Sequence, residues 1–409
     1  MIRLLVGILL VLGAWATVVP RGPAGAATDG QAAFRLRMVY LGKAYREPLP
    51  LSLVEKPIPD KGLVGARFGL AEARHIGRFL GQEYELTEVI VPEDEDVAAR
   101  ARDLLADGER LFVLDLEAPD LLAVADLPEA GEAVLLNIRA RDDLLRVEAC
   151  RANLFHVAPS YAMLADALAQ FLVWKRWYRW LVIRGVADSD DAFMAALERA
   201  AKRFAGKIVE TREYEFRVGS RRVESGYQQI QTQMPLFTVG APAHDVLWVV
   251  DTTEAFGLYL PYNTTDPAPV VGSFGLVPRV WHRSYEFYAG MQFQEAFDDF
   301  AGRHATERDY LGWLAVRILV EAALRTGRTD AATVRDYLRS DRFIVGAYKG
   351  VGLTFRPWNQ QLRHRILLAW ARNTVSLSPQ DKFLHQRNPL DTLGYDRPES
   401  RCRLDEAEE

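Results

Sequence analysis

The sequence is poor in the residues and motifs that most often carry catalysis or bind zinc. It has two cysteines and seven histidines in 409 residues, and no two histidines lie close together. It contains no Gly-x-Ser-x-Gly nucleophile motif, no His-Glu-x-x-His metal motif and no phosphate-binding loop. These absences argue against a hydrolase, a zinc enzyme or a nucleotide-binding enzyme, and we expect a protein that is not an enzyme.

An excess of basic residues is also missing. The chain has 50 Lys and Arg against 55 Asp and Glu, which gives a formal net charge of −5. A mildly acidic protein is a poor general binder of nucleic acid or of anionic membranes, because both attract positive surfaces. We therefore expect neither as a partner.

Only one long apolar run is present, and it stands at the start of the chain. Arg3 precedes the apolar stretch Leu4–Val19, Pro20 ends it, and small residues follow at 24–27. This order is typical of a cleavable secretory signal, and the run is short for a membrane span. We predict a signal peptide at residues 1–27 and a periplasmic mature protein without membrane insertion; a signal anchor is the alternative.

Short apolar runs alternate with helical patterns through the rest of the chain. Apolar residues spaced by three or four positions predict the helices, and continuous apolar runs predict strands buried on both faces of a parallel sheet. This alternation predicts an α/β fold with doubly wound sheets, and the number of strands suits two lobes rather than one sheet. The predicted strands are Phe34–Leu41, Leu86–Val91, Leu111–Leu116, Ala133–Ile138, Leu181–Gly185, Ile208–Tyr214, Val246–Asp251 and Val270–Ser273.

The order of elements changes in the last third of the chain. Residues 285–326 predict two successive helices, and a strand pair is predicted at Leu353–Trp358 and Arg365–Trp370. Residues 379–409 are rich in Pro, Asp, Arg and Gly, which predicts an extended tail.

This organisation resembles type I periplasmic binding proteins of the leucine/isoleucine/valine class. More specifically, six strings across the chain resemble substrate-binding proteins associated with PQQ-dependent alcohol dehydrogenase systems. The strings are Asn-Ile-Arg-Ala-Arg-Asp-Asp at 137–143, Leu-Phe-His-Val-Ala-Pro-Ser at 154–160, Phe-Gly-Leu-Tyr-Leu-Pro-Tyr at 256–262, Val-Gly-Ser-Phe-Gly-Leu-Val-Pro at 271–278, Phe-Arg-Pro-Trp-Asn-Gln-Gln-Leu-Arg at 355–363 and Leu-Asp-Thr-Leu-Gly-Tyr-Asp-Arg-Pro-Glu-Ser at 390–400.

The resemblance implies two Rossmann-like lobes joined by a three-stranded hinge. The N-lobe would comprise 31–156 and 283–341, and the C-lobe 157–282 and 342–378. It also implies the receptor of an ABC importer, with permease and ATPase subunits as partners and a periplasmic PQQ-dependent dehydrogenase nearby. The implied cargoes are a lanthanide ion or its complex, a PQQ-related compound, an alcohol or an organic acid. A ligand sensor or dehydrogenase partner without transport is the alternative, and a periplasmic enzyme is a more distant one.

Candidate ligand-binding residues lie at the ends of the predicted strands, because open α/β sheets bind ligands beyond the carboxyl ends of their strands. Four carboxylates among them could bind a lanthanide or calcium, since hard cations prefer several oxygen ligands; capping of nearby helices is the alternative. Arg139 could hold a ligand carboxylate or pair with Asp142 or Asp143. The candidates are Tyr40, Asp115, Glu117, Asn137, Arg139, Asp251, Glu254 and Ser273, with Asp115, Glu117, Asp251 and Glu254 as the metal candidates.

The two cysteines, Cys150 and Cys402, are predicted to form a disulfide. An isolated pair tends to oxidise in an exported protein, although two free thiols are the alternative. The bridge would fasten the C-terminal tail to the N-lobe.

Overall fold

Two parallel sheets form the framework of the computed structural model, which describes residues 34–47, 56–215 and 224–404. The predicted signal peptide at 1–27 lies outside the described residues. The first sheet has the strand order β2-β1-β3-β4-β5, and helices connect its strands. Its elements are β1 Arg35–Lys43, α1 Leu63–Leu80, β2 Glu83–Val91, α2 Val97–Ala106, β3 Leu111–Asp115, α3 Ala118–Ala125, β4 Val134–Asn137, α4 Leu144–Val147 and β5 Leu154–His156.

The second sheet has four parallel strands in the order β7-β6-β8-β9. Every residue of Val246–Val250, one of its two central strands, is buried, as the continuous apolar run predicts. Its elements are α5 Tyr161–Trp174, β6 Arg179–Arg184, α6 Asp188–Phe204, β7 Lys207–Glu213, α7 Glu224–Thr238, β8 Val246–Val250 and β9 Val270–Gly272. The predicted α/β organisation with two doubly wound lobes is confirmed; the exact lobe boundaries stay predictions.

The remaining elements join and cover the two sheets. A third, antiparallel sheet has the order β10-β13-β14, and β11 pairs with β12. None of the helices in the described ranges is long and apolar enough to cross a membrane. These elements are β10 Val277–Arg279, α8 Gly290–Ala301, α9 Glu307–Thr326, α10 Ala331–Arg339, β11 Val345–Gly346, β12 Gly352–Leu353, β13 Ile366–Trp370 and β14 Asn373–Ser378.

The predicted strand pair after Gly350 is wrong in its partners. Ile366–Trp370 pairs with Asn373–Ser378 through a tight turn, whereas only a single bridge joins Phe355 to Leu362. Two side chains beside that bridge, Arg356 and Arg363, both bind Asp391 in the C-terminal tail. The segment therefore forms a buried loop rather than a strand.

Glycines allow α9 to lie directly on α1 beside the first sheet. A Cβ at Gly65 would collide with the carbonyl oxygen of Asp309, and a Cβ at Gly312 would collide with that of Gly62. Only glycine permits so close an approach of two backbones. This packing fixes the beginning of α9, which borders the cleft described below.

An aromatic cluster lies where the chain crosses between the two sheets after β10. Buried Trp281 stacks on Tyr310, with 4.9 Å between ring centroids and an interplanar angle of 9°. The Lys349 ammonium lies 5.7 Å from the Trp281 ring and donates a hydrogen bond to the carbonyl of Val280. Burial lowers the pKa of Lys349 to about 7.

The C-terminal tail is less irregular than predicted. It contains three short 3₁₀ turns, at Asp381–Phe383, Pro389–Thr392 and Arg397–Glu399. The predicted disulfide between Cys150 and Cys402 is confirmed, with 5.5 Å between the two Cα atoms. The bridge fastens the tail beside the first sheet, as expected.

Candidate ligand-binding cleft

A cleft of about 750 Å³ lies between the carboxyl ends of the two parallel sheets. Its lining comes from the starts of α3, α5, α6 and α9 and from the loops after β4, β8 and β9. Five of the eight predicted ligand-binding residues line it, namely Glu117, Arg139, Asp251, Glu254 and Ser273. The strand-end rule therefore finds the cleft.

Arg139 occupies the side of the cleft that belongs to the first sheet, which we call the first wall. Its guanidinium lies 3.4 Å from Asp115, 3.5 Å from Glu117 and 3.6 Å from Glu47. It also stands over the Tyr45 ring, 4.6 Å from the centroid. The ion-pair partners of Arg139 are thus these three carboxylates rather than Asp142 or Asp143.

Glu47 joins two more cations to the first wall. Its carboxylate lies 2.5 Å from the Arg308 guanidinium and 2.8 Å from the Lys61 ammonium. Burial alone would raise the pKa of Glu47, but the charges of Arg308 and Lys61 outweigh it and lower the pKa to about 2. The first wall is therefore a network in which opposite charges neutralise one another.

Three predicted residues lie behind the cleft rather than in its lining. Tyr40 is buried and donates a 2.8 Å hydrogen bond to Asp115, which fixes that carboxylate toward Arg139. Asn137 is also buried, and its side-chain oxygen accepts hydrogen bonds from the backbone N–H groups of Arg139 and Ala140. These residues shape the loop that presents Arg139.

Two arginines lie around one carboxylate where β10 and α9 meet the cleft. Arg141 lies 2.6 Å from Glu307, which also accepts a hydrogen bond from the Val280 N–H. Burial alone would raise the pKa of Glu307, but Arg141 and Arg279 outweigh it and keep the pKa below its usual range. Among the described side chains, Arg279 has no carboxylate within ion-pair distance, whereas each other guanidinium lining the cleft has one.

The side of the cleft that belongs to the second sheet, the second wall, is built differently. Asp251 accepts hydrogen bonds of 2.7–2.8 Å from three backbone N–H groups, those of Ala255, Phe256 and Gly257. Asp190 likewise accepts from the Thr252 N–H at 2.7 Å. These contacts satisfy backbone donors of the loop after β8, where no α-helix begins, so they differ from the helix capping given as the alternative.

The four carboxylates proposed for a metal face different partners. Asp115 faces Tyr40 and Arg139, and Asp251 faces backbone N–H groups, while Glu117 and Glu254 line the cleft. Within residues 34–47, 56–215 and 224–404, no group of three or more His, Cys, Asp or Glu side chains is arranged to hold a metal ion. Metal binding stays a prediction.

Apolar side chains also line the cleft, and we call this group the apolar belt. Tyr161 and Phe193 stack with 5.3 Å between ring centroids, and Ile138, Leu164 and Leu311 complete the belt. The lining thus combines charged groups with apolar side chains.

Sequence reasoning missed the cleft residues that do not follow a strand of either parallel sheet. Lys61 precedes α1, Arg279 ends the short strand β10, and Glu307 and Arg308 begin α9. A signal for α9 does exist, because Thr306 and Asp309 have the spacing of a capping box and form one. Arg279 has no comparable signal.

Comparisons with known proteins agree with this geometry. The model of the periplasmic binding protein family matches residues 61–373. A comparison with curated proteins gives no match.

Solved structures with the same architecture include a branched-chain amino acid ABC transporter periplasmic ligand-binding protein from Burkholderia xenovorans LB400. It has 15% identity and a TM-score of 0.68, and the match covers 90% of this chain and 100% of that chain. A leucine-, isoleucine-, valine-, threonine- and alanine-binding protein from Brucella ovis has 15% identity and a TM-score of 0.61, with coverages of 85% and 93%.

An ABC transporter substrate-binding protein from Desulfitobacterium hafniense, in complex with Leu, has 16% identity and a TM-score of 0.62, with coverages of 84% and 100%. At these identities the likeness concerns the fold. Because the family model matches most of its length, this chain belongs to the periplasmic binding protein family.

Proposed function

We propose that the protein is a periplasmic solute-binding receptor of an ABC importer and that it binds its ligand in the cleft between the two sheets. The family match and the position of the cleft at the strand ends support this proposal. Its partners would be the permease and ATPase subunits of the importer.

Arg279 is the observation that carries the ligand's chemistry. It lines the cleft with no described carboxylate within ion-pair distance, and it interacts only at longer range with Glu307, which Arg141 already pairs directly. A guanidinium in this setting favours a carboxylate, which its planar fork binds through two hydrogen bonds. The apolar belt around Tyr161 and Phe193 would contact the ligand's body. We therefore propose a small carboxylic acid, either an organic acid or an amino acid.

The sequence strings extend the proposal to periplasmic alcohol oxidation, whose products include organic acids. A link to a PQQ-dependent dehydrogenase rests on those strings alone. A lanthanide ion or its complex is the second candidate, and acidic cleft residues such as Glu117 and Glu254 favour it. A ligand sensor or dehydrogenase partner without transport would use the same cleft, and genes for a permease and an ATPase beside this one would favour transport.

Calorimetric titration of ligand-stripped, metal-stripped mature protein tests the ligand class. The titrants are a panel of organic acids and amino acids, a lanthanide salt, and calcium as the control for the lanthanide. We expect Arg279→Ala to weaken carboxylate binding about 100-fold, since truncating one partner of a buried charge pair costs several kcal/mol. Arg279→Lys should lose less.

The matched control is Arg283→Ala, an exposed arginine on the following segment that does not line the cleft. Equal carboxylate affinity in the Arg279→Ala and Arg283→Ala variants would contradict the proposed ligand class. Lanthanide binding that calcium does not reproduce, and that Glu117→Ala and Glu254→Ala weaken, would establish the metal instead.

A further inference from the structure

The C-terminal segment 379–404, here named the strap, is bound to both lobes. In the second lobe, Arg199 on α6 donates hydrogen bonds of 2.8–2.9 Å to Glu399 and one of 3.0 Å to the Gly394 carbonyl. The Gly394 N–H in turn donates to Asp166 on α5, which is fully buried and also pairs with Arg203. This anchor therefore involves two helices of the second lobe.

The first-lobe anchor follows immediately. The Ser400 hydroxyl donates to the Arg146 carbonyl at 3.2 Å, and the Arg401 N–H donates to the Val147 carbonyl at 2.9 Å. Cys402 then forms the disulfide with Cys150, in the loop between α4 and β5. This anchor is covalent.

Between its two ends the strap covers a chain crossing. Buried Asp391 binds Arg356 at 2.9 Å and Arg363 at 2.7 Å. Both arginines belong to the loop that contacts the end of β5, where the Gln361 side chain donates to the carbonyl of His156. Losing one partner of such a buried pair is costly, so the strap is held firmly along this crossing.

No free residue separates the two anchors where the strap passes from one lobe to the other. Glu399, bound to α6, and Ser400, bound to α4, are neighbours in the chain, and one residue spans at most about 3.6 Å. Separation of the lobes at this point must therefore break an anchor or stretch the local structure. The disulfide prevents the first-lobe anchor from breaking. Separation would then have to break the second-lobe anchor or stretch the local structure.

We propose that the strap is a fourth connection between the lobes and that the Cys150–Cys402 disulfide limits how far they separate. This limit on the separation of the lobes does not depend on the identity of the ligand. Its effect is largest in the ligand-free protein, where no ligand holds the lobes together.

Fluorescence energy transfer across the cleft in the ligand-free, oxidised protein tests the proposal. Dyes attached through non-natural amino acids at exposed Glu95, before α2, and exposed Lys202, on α6, report the distance between the lobes. We expect the Cys150→Ser/Cys402→Ser variant to shift the distribution toward longer distances. Arg397→Ala, an exposed change in the same strap, is the control and should leave it unchanged.

The same distance distribution in the oxidised protein and in a folded double cysteine variant would overturn the proposal. If the double variant does not fold, Glu399→Ala decides the matter, because it loosens the second-lobe anchor and keeps the disulfide. That variant should then show the shift toward longer distances, and an unchanged distribution would refute the strap's role.

Discussion

The two walls of the cleft satisfy their charges in different ways. On the first wall, Arg139 and Arg308 share carboxylates that come from several elements, including Glu47 and Asp115. On the second wall, Asp251 binds the backbone of its own loop. The first arrangement can be redirected toward a ligand by exchanging one charged partner for another. The second arrangement cannot be redirected in this way, because the backbone N–H groups would lose the carboxylate that accepts their hydrogen bonds.

The position of an acidic residue at a strand end therefore does not by itself indicate the role of that residue. Asp115 ends one buried strand and Asp251 directly follows another, yet one faces an arginine and the other faces backbone N–H groups. Changes on the second wall should therefore alter stability most, and changes on the first wall should alter electrostatics.

The largest effect on stability is expected from Asp251→Ala. The change leaves three backbone N–H groups without their acceptor in a buried loop, and we expect a loss of about 3–4 kcal/mol in the free energy of unfolding. Urea denaturation measures it. Asp188→Ala, an exposed acid of the same wall, is the control and should cost less than about 1 kcal/mol. Equal losses of unfolding free energy in the two variants would contradict the distinction between acids that bind the backbone and acids that face solvent.

A smaller, pH-dependent effect is expected from Glu47→Gln on the first wall. The folded pKa of Glu47, about 2, lies below its ordinary 4.5, so its ion pairs stabilise the protein above pH 4.5 and are lost as the pH falls toward 2. At pH 7 the variant should lose about 1–2 kcal/mol, since partial exposure weakens the pairs. The difference from the unchanged protein should shrink on acidification, as followed by urea denaturation across this range. A difference that is constant with pH would contradict the ion-pair account.

The smallest effect is expected from Glu117→Gln. The Glu117 side chain is 55% exposed and lies 3.5 Å from Arg139, so water screens this pair. We expect a change of at most about 0.5 kcal/mol, measured in the same denaturation assay at low and high salt. A loss comparable to that of Glu47→Gln would mean that the first wall depends on all its members equally.

Most of the fold could be predicted because several of its strands contain continuous apolar runs, such as Leu111–Leu114 and Val246–Val250. All eight predicted strands of the parallel sheets are present within a few residues of their predicted ends. The three-residue strands Leu154–His156 and Val277–Arg279 were missed, because so short a run carries no periodicity and each ends in a basic side chain, unlike the equally short Val270–Gly272. The partner of Ile366–Trp370 was assigned wrongly because the nearer partner lies across the tight turn that ends at Asn373.

The site was predicted in part for a related reason. Residues directly after parallel strands, such as Arg139 and Ser273, reach the cleft because the topology fixes where strands end. Tyr40 was predicted to end the first strand but lies within it, three residues before Lys43, and Asn137 is the last residue of β4. The polar groups of both residues turn inward, where they find partners. Arg279 and Glu307 enter the cleft only because the chain crosses between lobes, which no local pattern encodes.

The aromatic cluster at the crossing after β10 gives the molecule a built-in optical probe. Trp281 is buried against Tyr310 and close to the Lys349 ammonium, on the segment that leads from β10 toward α9. Indole emission depends on nearby charge and ring contacts, so a change in lobe separation should alter the intensity or wavelength of the tryptophan signal. Because the chain has nine tryptophans, rapid-mixing experiments that compare the protein with a Trp281→Phe variant would isolate this signal.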